Sequence, residues 1–494
     1  MYGMSCLIGF WVRVKKMKGV DIMACIKSTG AYVPFHRLKR EEIGRAWGSG
    51  PLSGEKAIAN YDEDSITMAV EAGMDCLSGF NREEINALYF ASTTAPYREK
   101  QAAALIANAL ALPRNISTAD FSGSLRAGTN AIMAAMDAVS ADPSRNVLVI
   151  ASDCRLGVPG SNFEQVFGDG AAALIVGSSG NVRILKSYSH AEEIIDIWRT
   201  QEDRYVKMWE ERFVFLEGYI ANVREAVTTF LREEGSTLKD FTKVVLFAPD
   251  QRNFREVARM LRLEKEQIQN PLLEEVGNTG AAHALMMMVN SLEEAKAGDR
   301  LLLVSYGDGC DLFVLQVEEE FSQNPERRGI RGFLKSRMFI KNYEKYIQMK
   351  RLMQVETGRR RPPAMSSASV LHRDRDMVLG LYAGKCKGCG RLFFPPQRVC
   401  LYCRTKDQYD TVRLADKKGK LFTFCKDFLA QSIDPPVITS IVHLDLEEGV
   451  RVFCTMSDRD PDTVKVDMPV EMTFKKISEA EGFFNYFWKC RPVR

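Results

Sequence analysis

Residues 26–318 alternate between short apolar runs and amphipathic stretches with helical spacing. The apolar runs predict buried strands at residues 85–91, 147–151 and 244–247, and the amphipathic stretches predict helices at residues 65–77, 102–111 and 128–139. Strands that are apolar along their whole length are buried on both faces, as when helices cover both sides of a sheet. The alternation predicts an α/β fold, and no other feature constrains this part of the chain as strongly.

A short internal repeat lies within this region. Gly168-Asp169-Gly170 precedes one apolar run and Gly307-Asp308-Gly309 precedes another, so a glycine turn followed by a strand occurs twice. The repeat indicates a duplicated α/β unit. Because glycines on both sides favour a turn with unusual backbone dihedrals, we interpret Asp169 and Asp308 as turn-capping residues rather than as metal ligands or acid–base groups.

Length and charge exclude several classes of protein. At ~100–200 residues per domain, the 494 residues allow about two to four domains. Lys and Arg total 67 against 64 for Asp and Glu, and the net charge of +3 gives no global field that would recruit nucleic acid or an anionic membrane. No apolar run approaches the ~20 residues that a membrane-spanning helix needs. We therefore expect neither membrane association nor general binding to nucleic acid.

Residues 1–21 are expected to form an N-terminal extension. They are apolar up to Val12 and then basic, whereas a signal peptide carries its positive charge before the apolar stretch. Eight of the 12 cysteines are scattered along the chain instead of forming a disulfide framework. This distribution predicts a reducing, cytoplasmic location.

The sequence changes character near Glu319. Residues 319–377 are polar and basic and include three arginines and two prolines at 359–363, which predicts a basic linker with a docking helix within residues 339–353. From residue 378 a compact module begins with a cysteine cluster. It continues with four strand candidates, at residues 420–425, 437–444, 450–456 and 469–474.

The clustered cysteines are Cys386, Cys389, Cys400 and Cys403. Each Cys-x2-Cys pair brackets a tight knuckle that directs two thiolates toward one point, and two pairs complete the tetrahedral shell that Zn²⁺ prefers. Because four thiolates close that shell, the spacing predicts one structural zinc ion per chain. Iron in a rubredoxin-like centre uses similar spacing, so the identity of the metal stays open.

A glycine turn with an asparagine precedes one apolar helix candidate. In Gly277-Asn278-Thr279-Gly280, the side-chain amide of Asn278 can either contact a ligand or cap the helix, and the sequence does not separate these roles. We interpret the nearby His283 as a residue on the helix face.

Four segments of residues 22–318 resemble a known family. The segments Thr29–Pro34, Asp196-Ile197-Trp198-Arg199, Gly277–Gly280 and Ser305–Gly309 resemble hydroxymethylglutaryl-CoA synthases of the archaeal and bacterial type, within the thiolase-fold superfamily. The Asp-x-Trp-Arg match favours this branch over ketoacyl synthase III. The resemblance covers residues 22–318 and implies a duplicated thiolase-like five-layer α-β-α-β-α sandwich.

A second resemblance covers residues 378–494. Cys389-Gly390, Phe394-Pro395-Pro396, Gly419–Thr423 and Val442–Asp445 resemble zinc-ribbon/OB-fold proteins that accompany thiolase-like enzymes acting on acyl-CoA. This resemblance implies a rubredoxin-like zinc ribbon at 378–410 and a β-barrel OB-fold at 411–494. It also implies a coenzyme A thioester as ligand or substrate and a thiolase as partner.

The synthases of the first family use a cysteine, a histidine and a glutamate. Their motifs align with segments 120–129, 247–251 and 92–97 of this chain. In this alignment Leu125 takes the place of the cysteine, Ala248 that of the histidine and Thr93 that of the glutamate. Only the Asn278 position is retained. Leucine cannot form the acyl thioester, and no cysteine lies between Cys76 and Cys154. We therefore expect no cysteine-dependent condensation.

Two functions follow from this pattern. The first is a binding or scaffolding subunit that handles acyl-CoA together with a thiolase, as a homodimer, a heteromer or both. The alternative is a cysteine-independent aldolase acting on a β-hydroxyacyl-CoA, for which Asn278, Tyr97 and Asp250 are nominal candidates. An active condensing acyltransferase is disfavoured by Leu125, and a single-stranded nucleic-acid binder by the near-neutral charge.

Overall fold

The computed structural model describes residues 23–321, 326–356, 365–445 and 449–494; the expected N-terminal extension, residues 1–21, lies outside them. The strands of the first region are β1 Cys25–Tyr32, β2 His36–Lys39, β3 Glu55–Ile58, β4 Ala87–Ala91, β5 Ser117–Phe121, β6 Val147–Asp153, β7 Gly170–Gly177, β8 Val182–Ala191, β9 Ile197–Trp198, β10 Lys207–Met208, β11 Lys243–Leu246, β12 Arg300–Tyr306 and β13 Gly309–Val317. Its helices are α1 Arg40–Trp47, α2 Ser65–Cys76, α3 Ala102–Ala109, α4 Ala127–Ala141, α5 Asn162–Val166, α6 Glu211–Phe213, α7 Ala221–Glu234, α8 Gln251–Met260 and α9 His283–Leu292. Within the described residues, no helix has the length and apolarity needed to cross a bilayer.

Nine of these strands form one mixed sheet with the order β11-β12-β13-β8-β1-β7-β6-β4-β5. The sheet consists of two halves, because its two central strands, β1 and β8, pair only over Cys25–Arg183 and Ile26–Val182. In each half, an antiparallel strand follows the Gly-Asp-Gly turn: β7 lies beside β6, and β13 lies beside β12. The predicted duplication is therefore present in the fold.

Helices cover both half-sheets and separate them. Helix α9 packs against β7 of one half and β11 and β12 of the other, with α4 beside it, and all ten residues of α9 are buried. Helix α2 covers the outer face of the first half-sheet, and α7 covers the outer face of the second. This arrangement confirms the α-β-α-β-α sandwich.

Of the two aspartates in the glycine turns, Asp169 is held by structural contacts. The carboxylate of Asp169 accepts a hydrogen bond from the backbone N–H of Ala59 at 2.6 Å and pairs with Lys350. Asp308 lies in the turn between β12 and β13 with a φ of +46°, a left-handed conformation that an aspartate tolerates.

The segment after β13 contains α10 Gly329–Lys335, β14 Met338–Phe339, α11 Tyr343–Met349, α12 Ala368–Arg373 and α13 Arg375–Gly380. Much of it packs on the first region, since α10 contacts α9 and β1, and β14 pairs with β2. In α11, the hydroxyl of Tyr343 donates to Glu164 at 2.8 Å, and Lys345 lies 3.4 Å from Asp434 of the C-terminal module. Helix α11 therefore touches both parts of the protein.

The C-terminal module comprises a small ribbon, formed by β15 Tyr382–Cys386, β16 Leu392–Phe393 and β17 Tyr409–Arg413, and a closed barrel of β18 Lys418–Asp427, β19 Val437–Leu444, β20 Val450–Met456, β21 Pro469–Ala480 and β22 Phe483–Pro492. The barrel order is β18-β19-β20-β22-β21. Alternate residues of β19 point into the barrel, which gives its strict alternation of buried and half-exposed positions. The ribbon and the five-stranded barrel agree with the predicted fold class.

The barrel docks on α2 through charged groups that are almost fully buried. Glu71 of α2 pairs with Arg491 at 2.6 Å, and Lys489 pairs with Asp62 at 2.8 Å, just before the helix. Lys475 of β21 pairs with Glu63 at 2.5 Å and also with Asp458 of the barrel at 2.8 Å. We call this set of ion pairs the docking network.

Candidate active site in the thiolase-like region

A narrow, mostly apolar cavity of about 60 Å³ lies between loops of the two half-sheets. Its wall includes Leu125 from the first half and Phe247, Asn278 and Tyr306 from the second. Two of the four positions singled out from the sequence, Leu125 and Asn278, therefore line one cavity. Its small volume suits a short acyl group.

Leu125 follows β5 and lies two residues before α4. Its side chain is half-buried and packs so closely on Gly307 that a Cβ added to this glycine would lie 2.9 Å from the Cβ of Leu125. A helix N-terminus carries a partial positive charge that stabilises an anion or a thiolate. At this position, however, the chain presents an aliphatic side chain that has no nucleophilic atom.

Thr93 is bound to a buried carboxylate rather than facing the cavity wall. Its hydroxyl donates to Asp153 at 2.8 Å, and its backbone N–H donates to the same carboxylate at 2.8 Å. Asp153 also accepts from the backbone N–H of Ala281 at 2.8 Å. Asp153 thus joins the loop of Thr93 to the loop of Asn278, and no local sequence signal marks it for this role.

The amide of Asn278 is held by the protein. Its Oδ1 accepts from Arg155 at 2.7 Å and from the backbone N–H of Gly280 at 3.0 Å, and its Nδ2 donates to the carbonyl of Pro249 at 3.0 Å. Burial lowers the pKa of the Arg155 guanidinium to about 10. The amide therefore positions Arg155 and the loop beside Pro249 at the wall of the cavity.

Ala248 is fully buried between two lining residues, Phe247 and Pro249. Its methyl group offers no proton-transfer atom. His283 contacts the Phe247 ring edge-on at 5.6 Å between centroids, and burial lowers the pKa of its imidazole to about 3. His283 is thus a neutral residue at the start of α9, in line with its interpretation as a helix residue.

The two other nominal candidates have structural partners. Asp250 lines the cavity, but its carboxylate caps α8 by accepting from the backbone N–H and the amide of Asn253, each at 2.9 Å. The hydroxyl of Tyr97 accepts from the backbone N–H of Phe484 at 2.8 Å. Tyr97 therefore lies at the contact with the barrel rather than in the cavity wall.

The cavity also contains an acid–phenol pair that the sequence does not single out as chemistry. The hydroxyl of Tyr306 donates to Asp196 at 2.8 Å, and both residues line the cavity. Burial raises the pKa of the Asp196 carboxyl, and burial together with the carboxylate raises the pKa of the Tyr306 phenol. The two residues are 110 positions apart, so no local pattern joins them. The sequence hints at a role only because Asp196 lies in the Asp-x-Trp-Arg motif and Tyr306 in the Ser305–Gly309 motif.

The rim of the cavity is formed by the β9–β10 hairpin, which contributes Ile197 and Met208 to the wall. Beside them, Trp198 and the 60% exposed Trp209 lie with their ring centroids 6.3 Å apart. Arg199 donates to the carbonyl of Thr93. An exposed tryptophan beside a half-buried one, with a guanidinium next to them, can bind a purine ring and a phosphate.

The four cysteines of the ribbon converge, with all sulfur atoms within 4.8 Å of one another. Cys386 and Cys403 are 3.5 Å apart, and Cys389 and Cys400 are 3.7 Å apart. The backbone N–H of Gly388 donates to the sulfur of Cys386 at 3.3 Å, a contact that stabilises a thiolate. This arrangement fits a single tetrahedral metal ion.

Relatives of known identity match the thiolase-like region. A hydroxymethylglutaryl-CoA synthase of Thermococcus gammatolerans is 35% identical over 327 residues, which are 64% of this chain and 92% of that protein. The synthase of Pyrococcus horikoshii is 33% identical over 349 residues, 68% of this chain and 98% of that protein. The chain belongs to the hydroxymethylglutaryl-CoA synthase family. The resemblance drawn from the sequence is thereby confirmed.

Family models and solved structures extend this result. Residues 231–317 match the C-terminal part of 3-oxoacyl-[acyl-carrier-protein] synthase III, residues 378–407 the ChsH2 rubredoxin-like zinc ribbon, and residues 411–475 the ChsH2 C-terminal OB-fold. A crystal structure of HMG-CoA synthase complexed with CoA superposes with a TM-score of 0.62 at 17% identity, over 70% of this chain and 94% of that one. At this identity the superposition shows the fold alone.

Proposed function

We propose that this member of the family binds acyl-CoA without condensing it and works beside a thiolase. The observation that carries the proposal is Leu125 in the cavity wall, two residues before α4. In the synthases the resemblance places a cysteine there. Here no described residue lining the cavity has a thiol. A thioester intermediate therefore has no atom on which to form.

Coenzyme A is proposed as the ligand for two reasons. One solved relative in fold is described as an HMG-CoA synthase complexed with CoA. In this chain, Trp198, Trp209 and Arg199 at the rim offer ring faces for an adenine and a guanidinium for a phosphate. The acyl end would then lie between Leu125 and Tyr306.

Intact-mass spectrometry and calorimetry test this proposal. We expect acetyl-CoA to bind saturably to the wild-type protein and to leave no covalent adduct. In Leu125→Cys the new thiol lies in the cavity, so we expect an acetyl adduct, whereas Leu125→Ala should behave as the wild type. A wild-type adduct would refute the proposal, and so would an absence of CoA binding.

A second candidate is a carbon–carbon lyase, favoured by the Asp196–Tyr306 pair. On a β-hydroxyacyl-CoA, the Asp196 carboxylate would take the proton of the β-hydroxyl, and the Cα–Cβ bond would break to give a carbonyl compound and the enolate of a shortened thioester. Tyr306 would protonate that enolate, and the proton on Asp196 would then return to the phenolate. No oxidant or further reactant is needed.

Release of acetyl-CoA from 3-hydroxy-3-methylglutaryl-CoA, followed by chromatography, tests the lyase. If it operates, Tyr306→Phe should lower kcat by about 100-fold or more, the usual range for a lost acid–base group, while CoA affinity stays unchanged. Tyr188→Phe is the matched control, because it removes a phenol hydroxyl from β8, outside the cavity wall. A wild-type protein that releases no acetyl-CoA would leave the binding function alone.

The proposed partner is a second copy of this chain or a thiolase. Strand β5 is the last strand of the nine-stranded sheet, and among the described residues it pairs only with β4, so its other edge could accept a second copy or a thiolase. If the purified protein sediments as a monomer at micromolar concentration and no thiolase co-purifies with it, this part of the proposal is contradicted.

We assign one structural Zn²⁺ to the four ribbon cysteines, since four thiolates leave no open coordination position.

A further inference from the structure

A second cavity, of about 280 Å³, lies where the thiolase-like region, the linker helices and the barrel meet. It is bounded by α3, by α12 and α13, and by the first residues of β22. It shares no lining residue with the cavity around Leu125. It is therefore a different cavity from the candidate active site.

The walls of this cavity are largely apolar. All four bounding elements contribute apolar side chains, among them Leu105, Leu371, Val378, Leu379, Phe483 and Phe484. Each of these is only partly buried by the rest of the protein. Apolar surface left open to water in a concave site favours an apolar ligand, because binding removes that surface from water.

The wall of the cavity contains three basic side chains. Lys100, His372 and Arg375 line the cavity, and among the described lining residues there is no carboxylate. The nearest acid to Arg375 is Asp376, 3.5 Å from its Nε, and that carboxylate also pairs with Arg114 at 3.0 Å. The cations at the cavity thus exceed the anions that could neutralise them.

The basic side of the cavity continues into a second, smaller one. This neighbour has a volume of about 200 Å³, is more polar, and shares Asn108, Arg375 and Leu379 with the first. Arg114 lines its far side together with Asp376, the carboxylate with which it pairs. An elongated ligand could therefore place its chain in the apolar cavity and an anionic end near Arg375.

We propose that this cavity binds a ligand with a single aliphatic chain and one anionic head group. The chain lies against Leu105, Leu371 and Phe483, and the carboxylate or phosphate lies between Lys100 and Arg375. The proposal does not depend on the function of the cavity around Leu125. It rests on the apolar wall, the cationic rim and the absence of lining carboxylates in the described residues.

Isothermal titration calorimetry of the full chain with dodecanoate, dodecyl phosphate and dodecan-1-ol tests the proposal. We expect one saturable site per chain for the two anions and a weaker interaction with the alcohol. The double variant Lys100→Gln/Arg375→Gln should lose about 3- to 10-fold in affinity for the anions, as for two partly exposed ion pairs. Added salt should weaken binding to the wild type more than to this variant.

Two further variants and a control identify the location. Leu105→Trp and Leu371→Trp fill the cavity from opposite walls, so each should abolish binding even if the other disturbs folding. Arg232→Gln/Lys239→Gln removes two exposed charges elsewhere and should bind as the wild type does. A preference for the phosphate or for the carboxylate identifies the head group, and either preference supports the proposal.

Three results would overturn it. One is the absence of saturable binding of both anions to the wild type. Another is equal affinity of dodecan-1-ol and dodecanoate, since the cations would then play no part. The third is unchanged affinity in both tryptophan variants, which would place the site elsewhere.

Discussion

Replacement of Lys475 by methionine tests the docking network most directly. The side chain of Lys475 is 0% exposed, and its two partners, Glu63 and Asp458, are 1% and 0% exposed. Methionine has a similar length and removes the charge, which leaves both carboxylates with one countercharge fewer. Removing one partner of a buried ion pair costs about 3–5 kcal/mol, because the remaining charge has already lost its hydration.

The surroundings favour the lower end of that range. Asp458 keeps Arg494 at 3.3 Å, and Glu63 keeps the backbone N–H of Asn60 at 2.7 Å. We therefore expect Lys475→Met to lower the free energy of unfolding by about 3 kcal/mol. Addition of Glu63→Gln should recover about 1–2 kcal/mol, because residues in contact are energetically coupled.

Urea unfolding followed by far-UV circular dichroism measures both effects, and amide hydrogen exchange in α2 locates them. Arg45→Gln is the matched control: its pair with Glu42 is exposed, with 54% of the arginine side chain accessible, so it should leave the stability close to that of the wild type. If Lys475→Met costs no more than this control and shows no coupling to Glu63, the network is screened by water and our reasoning about it is refuted.

Three further predictions concern the metal, pH and the cavity. Cys400→Ser should reduce bound zinc from one ion per chain to none by elemental analysis and should unfold the ribbon; iron in the wild type would contradict the assignment of zinc. Burial raises the pKa of Glu293 to about 7, so between pH ~4.5 and 7 the native state keeps a proton that the unfolded chain loses. Stability from this group should fall by about 3 kcal/mol over that interval as pH rises, and Glu293→Gln should flatten the difference in urea titrations at pH 5 and 7.5. Gly168→Ala would place a Cβ 1.8 Å from the carbonyl oxygen of Val276 and would displace the backbone contact between Gly168 and Asn278. We therefore expect the affinity for CoA to drop at least about tenfold. Gly50→Ala is the control, because the space around Gly50 is open, and it should have no effect.

Local patterns predict the elements of the sandwich well. The helix predicted at residues 65–77 is present as Ser65–Cys76, and the strand predicted at 147–151 is present as Val147–Asp153. The strand is a continuous apolar run that is buried along its whole length, and Asp64 supplies a capping box for the helix. Such signals lie within a few residues of the element that they specify.

Long-range pairings leave no comparable signal. Strand β22 is not among the strands predicted from the sequence, and its ion pairs have no local signal, because the partners of Lys489 and Arg491 lie about 420 residues earlier in the chain. The Asp196–Tyr306 pair cannot be predicted from the sequence for the same reason. A charge that is buried only because a distant carboxylate meets it cannot be recognised from neighbouring residues.

The buried carboxylates in α2 and just before it also bear on why the two modules share a polypeptide. If the barrel were made separately, Asp62, Glu63 and Glu71 would face water until a cationic subunit arrived, and assembly would depend on how much of each was synthesised. A covalent connection makes that encounter intramolecular, with an effective concentration that can reach the millimolar range. Equal stoichiometry is then guaranteed for every molecule translated.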